Sequence, residues 1–380
     1  MTSIEWTEKT WNPIVGCSIV SPGCTNCYAM RMAARLESMA VSGGVDCNGY
    51  AVRGTSPTDH YIGLTKRVKG HPVWTGKLAQ APDHVQIQPL RRKKPTMWFV
   101  NSMSDLFHED VPDEWIDRVF AVMALCPQHT FQVLTKRSAR MRAYLSDADV
   151  TGRWMDTTEW KNEGAHWDRE DVKVTADYLV VGEMRTLPNV WFGVSAERQQ
   201  EADARIPDLL ATPAAVRFVS AEPLLGLLDL SAYLTGHEVH GVDMTRDVGS
   251  KVGGATGWVP SLDWIIVGGE SGPGARPMHP DWARSIRDQC QQAAVPFFFK
   301  QWGAWAPATI FEAKHYVRRK DGVHGMLGPH LYGDHLSAIV NVGKARAGRI
   351  LDGREWNEMP GASKYDQSPT DPHHGGKVSA

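Results

Sequence analysis

From Thr96 to Trp302 the chain alternates short apolar runs with stretches in which apolar residues recur every three or four positions. The runs are Thr96–Val100, His129–Leu134, Val190–Val194, Ala215–Val219, Leu262–Val267 and Val295–Phe299. Short runs rich in β-branched and aromatic residues predict strands covered on both faces. Between them the period changes to that of a helix. Ile116, Val119, Phe120 and Met123 share one face after Asp113, and Trp282, Ile286, Cys290 and Ala293 share another within 281–294. Two more helices are predicted, one carrying Arg140 and Arg142 and one ending near Leu210. Strands alternating with helices in this way build parallel βαβ units. The predicted class is α/β, a partial or closed parallel (βα) barrel of about six strands.

Three stretches interrupt the rhythm and read as insertions: about 41–95, 147–186 and 231–260. The barrel then spans 1–306, followed by a C-terminal extension over 307–360. Within the extension, Arg349–Arg354 with Trp356 and Pro360 reads as an ordered turn. Residues 361–380, mostly Ser, Pro, Asp, His and Gly, are expected to form a disordered tail.

All six predicted strands finish in polar residues: Asn101-Ser-Met-Ser-Asp105, Thr135-Lys-Arg137, Ser195-Ala-Glu197, Ser220-Ala-Glu222, Gly268-Gly-Glu270-Ser271 and Lys300-Gln-Trp302. In parallel barrels the loops at this end converge on one mouth, whereas the strand interiors only pack. A polar end on every strand therefore marks a site. A carboxylate at such a place can also cap the following helix, and that role stays open for Asp105, Glu197, Glu222 and Glu270. Lys136, Arg137 and Lys300 fit either helix-end ion pairs or contacts to a substrate phosphate or carboxylate. His108 reads as a loop histidine or a proton donor.

Composition narrows the class. With 380 residues, 42% of them hydrophobic, the chain can bury a large core, and a formal net charge of −2 argues against a polybasic coat protein. No apolar run approaches the roughly 20 residues of a membrane span, and the N-terminus lacks the pattern of a signal peptide. A cytoplasmic protein without a membrane partner is expected. There, clustered cysteines more often hold metal than form disulfides.

The densest chemistry lies ahead of the first strand–helix unit, in Cys17-Ser-Ile-Val-Ser-Pro-Gly-Cys24-Thr-Asn-Cys27. A short loop lets three sulfurs converge on a soft metal centre, and the loop runs into a predicted helix whose free N–H groups favour thiolates. Two readings fit. One is an iron–sulfur cluster with one iron left open for a reacting ligand; the other is a structural zinc site completed by Cys47 or His60. Cys47, Cys126 and Cys290 otherwise read as ordinary buried or loop thiols.

The cysteine loop, followed by a parallel barrel with a polar rim, resembles the radical S-adenosylmethionine enzymes. Within them it is most similar to the phage- and prophage-associated family with a widely spaced three-cysteine motif. The matching segments are W-N-P-x-x-G-C (Trp11 to Cys17), C-x-x-C-Y-A (Cys24 to Ala29), N-S-M-S-D-L-F-H (Asn101 to His108), L-T-K-R (Leu134 to Arg137), S-A-E-P-L-L (Ser220 to Leu225), G-G-E-S-G (Gly268 to Gly272) and L-D-G-R (Leu351 to Arg354). They cover roughly residues 4–306 plus the last turn. This sequence differs from the common radical-enzyme loop in placing six residues between its first two cysteines and Asn26 before Cys27. Its Gly-Gly-Glu ends a late strand, so the usual role of that motif toward the methionine amino group is not carried over to Glu270.

The resemblance implies a four-iron four-sulfur cluster on Cys17, Cys24 and Cys27, S-adenosyl-L-methionine as partner of the cluster, and formation of a 5′-deoxyadenosyl radical. By position, Asn101, Ser102, Ser104 and Asp105 meet the methionine moiety, with Ser195, Glu197, Ser220 and Glu222 further round the rim. Asp105, Glu222 and Glu270 are the candidate catalytic carboxylates. An electron donor such as flavodoxin or ferredoxin is implied as well.

The basic runs Lys66–Lys69 and Arg91–Lys94, the basic segment Lys136–Arg142 and the family's phage setting point to a DNA or nucleotide substrate. The sharpest expectation is an isomerase acting on an amino-acid-substituted thymine, such as a glycine adduct, in phage DNA that evades restriction. Two alternatives stand beside it: radical repair of a pyrimidine lesion, as spore photoproduct lyase performs, and a non-catalytic zinc-stabilised binding protein.

Overall fold

The computed structural model describes residues 4–43, 56–157, 186–239, 257–307 and 339–361. Its centre is one parallel sheet of seven strands: β1 (Lys9–Trp11), β2 (Met97–Val100), β3 (Thr130–Thr135), β4 (Val190–Ser195), β5 (Val216–Ala221), β6 (Trp264–Gly268) and β7 (Phe297–Gln301). Their order in space equals their order in the chain, and every pairing in the sheet is parallel. A sheet wound in one direction has no switch point, and it curls into a half-barrel instead. The six expected strands are present within two residues of their predicted limits. The seventh, Lys-Thr-Trp at β1, is too short to show a period and owes its place to pairing with β2.

Side chains alternate across the sheet. Trp98, Val100, Phe131, Val133, Val219, Ile265, Val267, Phe297 and Phe299 join the large core. That core includes Ile116, Val119, Phe120 and Met123 of α2 (Asp113–Ala124), Met141 of α3 (Ser138–Leu145), Ile206 of α4 (Gln199–Ala211), and Ala283, Ile286 and Cys290 of α5 (Pro280–Gln292). The intervening positions Phe99, Phe218, Trp264, Ile266 and Phe298 form a separate cluster on the concave face around Trp6, delivered by the N-terminal segment. Covering on both faces explains why these strands read as continuous apolar runs. Gly193 on β4 leaves the space that the Phe218 ring occupies.

The remaining segments sit around this frame. α1 (Tyr28–Gly43) packs on a hairpin, Thr65–Val68 with His71–Trp74, inside the predicted first insertion. Of the second insertion, Val150–Asp156 is helical and buries Trp154 against Phe120 at 4.6 Å; residues 158–185 lie outside the described residues. Of the third, a strand pair His237–Val239 and Gly257–Val259 is described. The C-terminal extension closes over the β7 side. Phe299 N donates to Trp356 O at 3.0 Å, and Trp264 Nε1 donates to Glu358 O at 2.8 Å. The expected turn is there: Asp352 (φ 51°) and Gly353 (φ 85°) reverse the chain, and Asp352 pairs with Arg284 and Arg287 of α5. Residues 362–380, the expected tail, lie outside the described residues. No helix among those described is long and apolar enough to cross a membrane.

Candidate functional site

The C-terminal ends of the strands open into one cavity of about 440 Å³. All three cysteines of the loop line it, together with residues from every predicted strand end: Asn101, Ser102, Ser104 and Asp105, Thr135–Arg137, Ser195, Ser220 and Glu222, Gly269–Ser271, and Lys300–Gln301. The rim and the cysteine loop, far apart in sequence, are thus two walls of the same space.

Local chemistry shapes the loop. Asn12 Oδ1 accepts from Met103 N at 3.0 Å and from Ser102 Oγ at 3.1 Å, and Gly16 N donates to Met103 O at 3.1 Å. These bonds lay the W-N-P-x-x-G-C segment along the end of β2. Gly16, at φ 95°, passes so close to the Lys77 carbonyl that a Cβ would collide with it. Pro22–Cys24 form a tight 3₁₀ turn, and Cys24 is buried. Cys27 immediately precedes α1, and its sulfur accepts from the Ala29 and Met30 N–H groups. Burial nonetheless raises the Cys27 thiol above its ordinary value, since those two bonds offset only part of the desolvation. Burial, with the Asp105 charge added, pushes Cys17 up to about 12 against the opposing pull of Arg137, whose Nη1 lies 3.8 Å from the sulfur.

Three strand-end carboxylates hold this loop in place. Asp105 accepts from Thr135 Oγ1 (2.6 Å), Lys136 N (2.9 Å), Phe107 N (3.1 Å) and Arg137 Nη1 (3.0 Å); Arg137 Nη2 in turn donates to Ser18 Oγ at 2.8 Å. Glu197, fully buried, accepts from Ser21 Oγ at 2.7 Å and Arg205 Nη1 at 3.0 Å, and pairs with Lys136. Glu270 accepts from Asn26 Nδ2 (3.0 Å), Arg276 N (2.8 Å) and Arg276 Nε (2.9 Å), while Arg276 Nη2 reaches Pro22 O at 3.0 Å. Gly23 has no side chain because Glu197 occupies the place a Cβ would take. Burial alone would raise both glutamates. The charges of Lys136 and Arg205 outweigh it at Glu197, the Arg276 and Asn26 hydrogen bonds outweigh it at Glu270, and both carboxyls sit below the ordinary range.

Glu197 therefore lies beneath the cysteine loop and does not line the cavity, unlike Ser195 and Ser220, which do. Asp105 and Glu270 line it with oxygens already committed to internal donors. Glu222 differs: among the described residues it pairs only with Lys300, whose Nζ stands 2.9 Å and 3.0 Å from its two oxygens. His108 touches the loop rather than the cavity. Its Nδ1 accepts from Asp110 N at 3.1 Å, which assigns the proton to Nε2, 2.8 Å from Ser18 Oγ. Burial, then the Arg137 charge, lowers its tendency to protonate.

Sequence reasoning missed Asn12, Ser18, Asn26 and Arg276 as parts of the site. Each acts through tertiary hydrogen bonds that carry no period. Cys47 lies outside the described residues, and His60 does not line the cavity. Among the described residues no group of three or more His, Cys, Asp or Glu side chains is set to hold a metal ion.

Fold and site together define a parallel half-barrel whose cysteine-bearing loop caps a polar mouth. The chain belongs to the family described as Protein of unknown function (DUF5131), which matches residues 1–360. No curated protein and no solved structure matches it.

Proposed function

We propose that the protein is a radical S-adenosylmethionine enzyme whose Cys17, Cys24 and Cys27 hold a four-iron four-sulfur cluster, and that it acts on a DNA base or nucleotide. One observation carries the reading: three thiols of a single loop share a cavity with the polar ends of the strands. The donor set fits such a group. Soft thiolates select iron–sulfur or zinc centres, and a thiol held neutral by burial loses its proton outright to a coordinated metal. A closed zinc site needs its sulfurs about 2.3 Å from one point, whereas a cluster distributes its thiolates over separate irons.

When bound, cluster and S-adenosylmethionine would supply a carbon radical able to abstract hydrogen. The chain's own residues do the rest. Arg137 offers a positive charge beside Cys17, and the start of α1 offers N–H groups to Cys27; both favour an anionic centre. The three carboxylate clamps fix the loop before any ligand arrives, so its position costs nothing at binding.

For the substrate, the basic segments separate. Lys136, Arg137, Arg140 and Arg142 are paired with Glu197, Asp105, Asp113 and Asp208, so that segment is neutralised internally. Arg91–Lys94 precedes β2 and lies at the end of the sheet away from the mouth. The hairpin is on the mouth side. Its Trp74 lines the cavity, and Lys66 and Arg67 on its first strand and Lys69 in its turn are exposed without an acidic partner among the described residues. A nucleic-acid backbone passing the mouth would meet those three charges. A flipped or single-stranded base then enters the cavity. An amino-acid-substituted thymine in phage DNA, isomerised to evade restriction, is the substrate we favour.

The test is anaerobic purification with assays of iron, sulfide, zinc and 5′-deoxyadenosine. About four irons, and deoxyadenosine on adding S-adenosylmethionine and a reductant such as reduced flavodoxin, are expected, with iron lost from Cys24→Ala. One zinc and no deoxyadenosine would overturn the reading. For the substrate, an unchanged pattern of modified nucleosides after deletion of the gene would exclude DNA modification.

A further inference from the structure

Glu222 and Lys300 come from the ends of β5 and β7, two strands apart, and they meet over Gly268 of β6. A Cβ at Gly268 would stand 2.5 Å from Glu222 Oε1, so the missing side chain makes room for the pair. Both side chains are mostly buried, at 15% and 17% exposure, and both line the cavity. Among the described residues neither makes any other hydrogen bond or ion pair. An ammonium has three donors and a carboxylate about four acceptor sites, so each keeps capacity unused.

Two other residues of the lining each keep one polar atom with no partner among the described residues. Gln301 donates its Nε2 to Gly269 O at 3.0 Å, but its Oε1 is buried and unbonded. Asn101 accepts at Oδ1 from Ile14 N at 3.4 Å, but its Nδ2 is buried and unbonded. Both residues line the same cavity and are under 5% exposed. Both atoms are enclosed within the wall and do not face the cavity, so the ion pair alone carries the site.

We propose that this pair is a receptor for an α-amino-acid zwitterion. Glu222 takes the ligand's ammonium and Lys300 its carboxylate. The exchange conserves charge: one internal ion pair opens and two are made with the ligand. A ligand bearing a single charge would leave either Glu222 or Lys300 without a partner in a mostly buried place, a strong penalty. The site therefore selects for paired opposite charges. One molecule in the reading above carries them on groups the cluster does not take: the amino-acid group of a substituted thymine. The substrate assignment rests on that reading; the zwitterion chemistry does not.

The experiment is equilibrium binding, by calorimetry on the anaerobically purified protein, with two probe pairs. One is 5-(N-glycinylmethyl)-2′-deoxyuridine against its 5-aminomethyl counterpart. The other is S-adenosyl-L-methionine against its decarboxylated form. Lys300→Met is expected to weaken a carboxylate-bearing probe about tenfold or more, the size of a lost charged hydrogen bond. It is expected to tighten the carboxylate-free partner, because no ammonium is then left unpaired and Glu222 is free for the probe's own charge. The Glu222→Gln/Lys300→Met double variant removes both charges together. It keeps the fold testable by its melting temperature and is expected to lose the same discrimination. An effect in the nucleoside pair assigns the site to the substrate, and an effect confined to the adenosyl pair would overturn that assignment. Wild-type discrimination by both variants in both pairs would overturn the proposal. Binding is read without turnover, so a failure to form deoxyadenosine would sink the radical reading and leave this result standing.

Discussion

Asp105, Glu197 and Glu270 stand where a barrel enzyme keeps its reactive groups, yet each commits its oxygens to donors that anchor the cysteine loop. Arg137 is the most connected of their partners, touching Asp105, Glu109, Ser18 and the Cys17 sulfur at once. Arg137 and Asp105 are both buried. Replacing Arg137 by Met strands that carboxylate and is expected to cost about 3–5 kcal/mol in denaturant unfolding. The variant should also expose Cys17 to alkylation faster than the wild type. Acid acts on the other two clamps. Glu197 and Glu270 titrate below their ordinary value near 4.5 in the folded protein, so their stabilisation is complete above that pH and is lost as pH falls through the lowered folded values. The melting temperature should therefore drop on acidification below about pH 4.5, and Glu270→Gln should flatten part of that dependence.

At the scale of elements, the hairpin beside α1 is the segment whose role is most open to direct test. Lys69 (φ 49°) and Gly70 (φ 82°) form its two-residue turn, with both backbones in the left-handed region that such turns require. The geometry holds the neighbouring charges outward without help from other segments. The triple variant Lys66→Ala, Arg67→Ala, Lys69→Ala should fold normally and lower the salt dependence of DNA binding. A fall of about 2.7 in slope is expected if three phosphates are contacted at about 0.9 each. Arg91→Ala, Lys93→Ala, Lys94→Ala, at the far end of the sheet, should leave the slope unchanged. Fluorescence anisotropy between 50 and 200 mM salt decides between them. An unchanged slope in the hairpin variant would move the nucleic-acid contact elsewhere.

The whole molecule depends on its N-terminal segment twice over. Residues 9–11 add the first strand, and Trp6 fills the concave face where Phe99, Phe218 and Trp264 meet, its ring centroid 4.8 Å from that of Phe99. A half-barrel has an open side, and this plug separates the mouth from the space below. Trp6→Ala should lower stability by about 3–5 kcal/mol in urea or guanidinium unfolding. It should also deepen the cavity, since Trp6 is part of its lining.

The alternation of apolar runs and helical stretches was enough to determine an α/β chain of parallel units, because a strand covered on both faces must be apolar throughout. The six polar strand ends marked the mouth for a similar reason: only there do the side chains escape the core. Cys17, Cys24 and Cys27 were legible because short spacing forces proximity. Tertiary structure alone decided how the rim carboxylates divide their work. Ser21, Asn26 and Arg137 reach Glu197, Glu270 and Asp105 across 176, 244 and 32 positions of chain, and no local pattern encodes such partners. It alone also placed β1, three residues too short to carry a period but long enough to pair with β2. Hydrophobic periodicity is a local property that survives in one dimension, whereas the pairing of charges depends on which strand ends the curl of the sheet brings together.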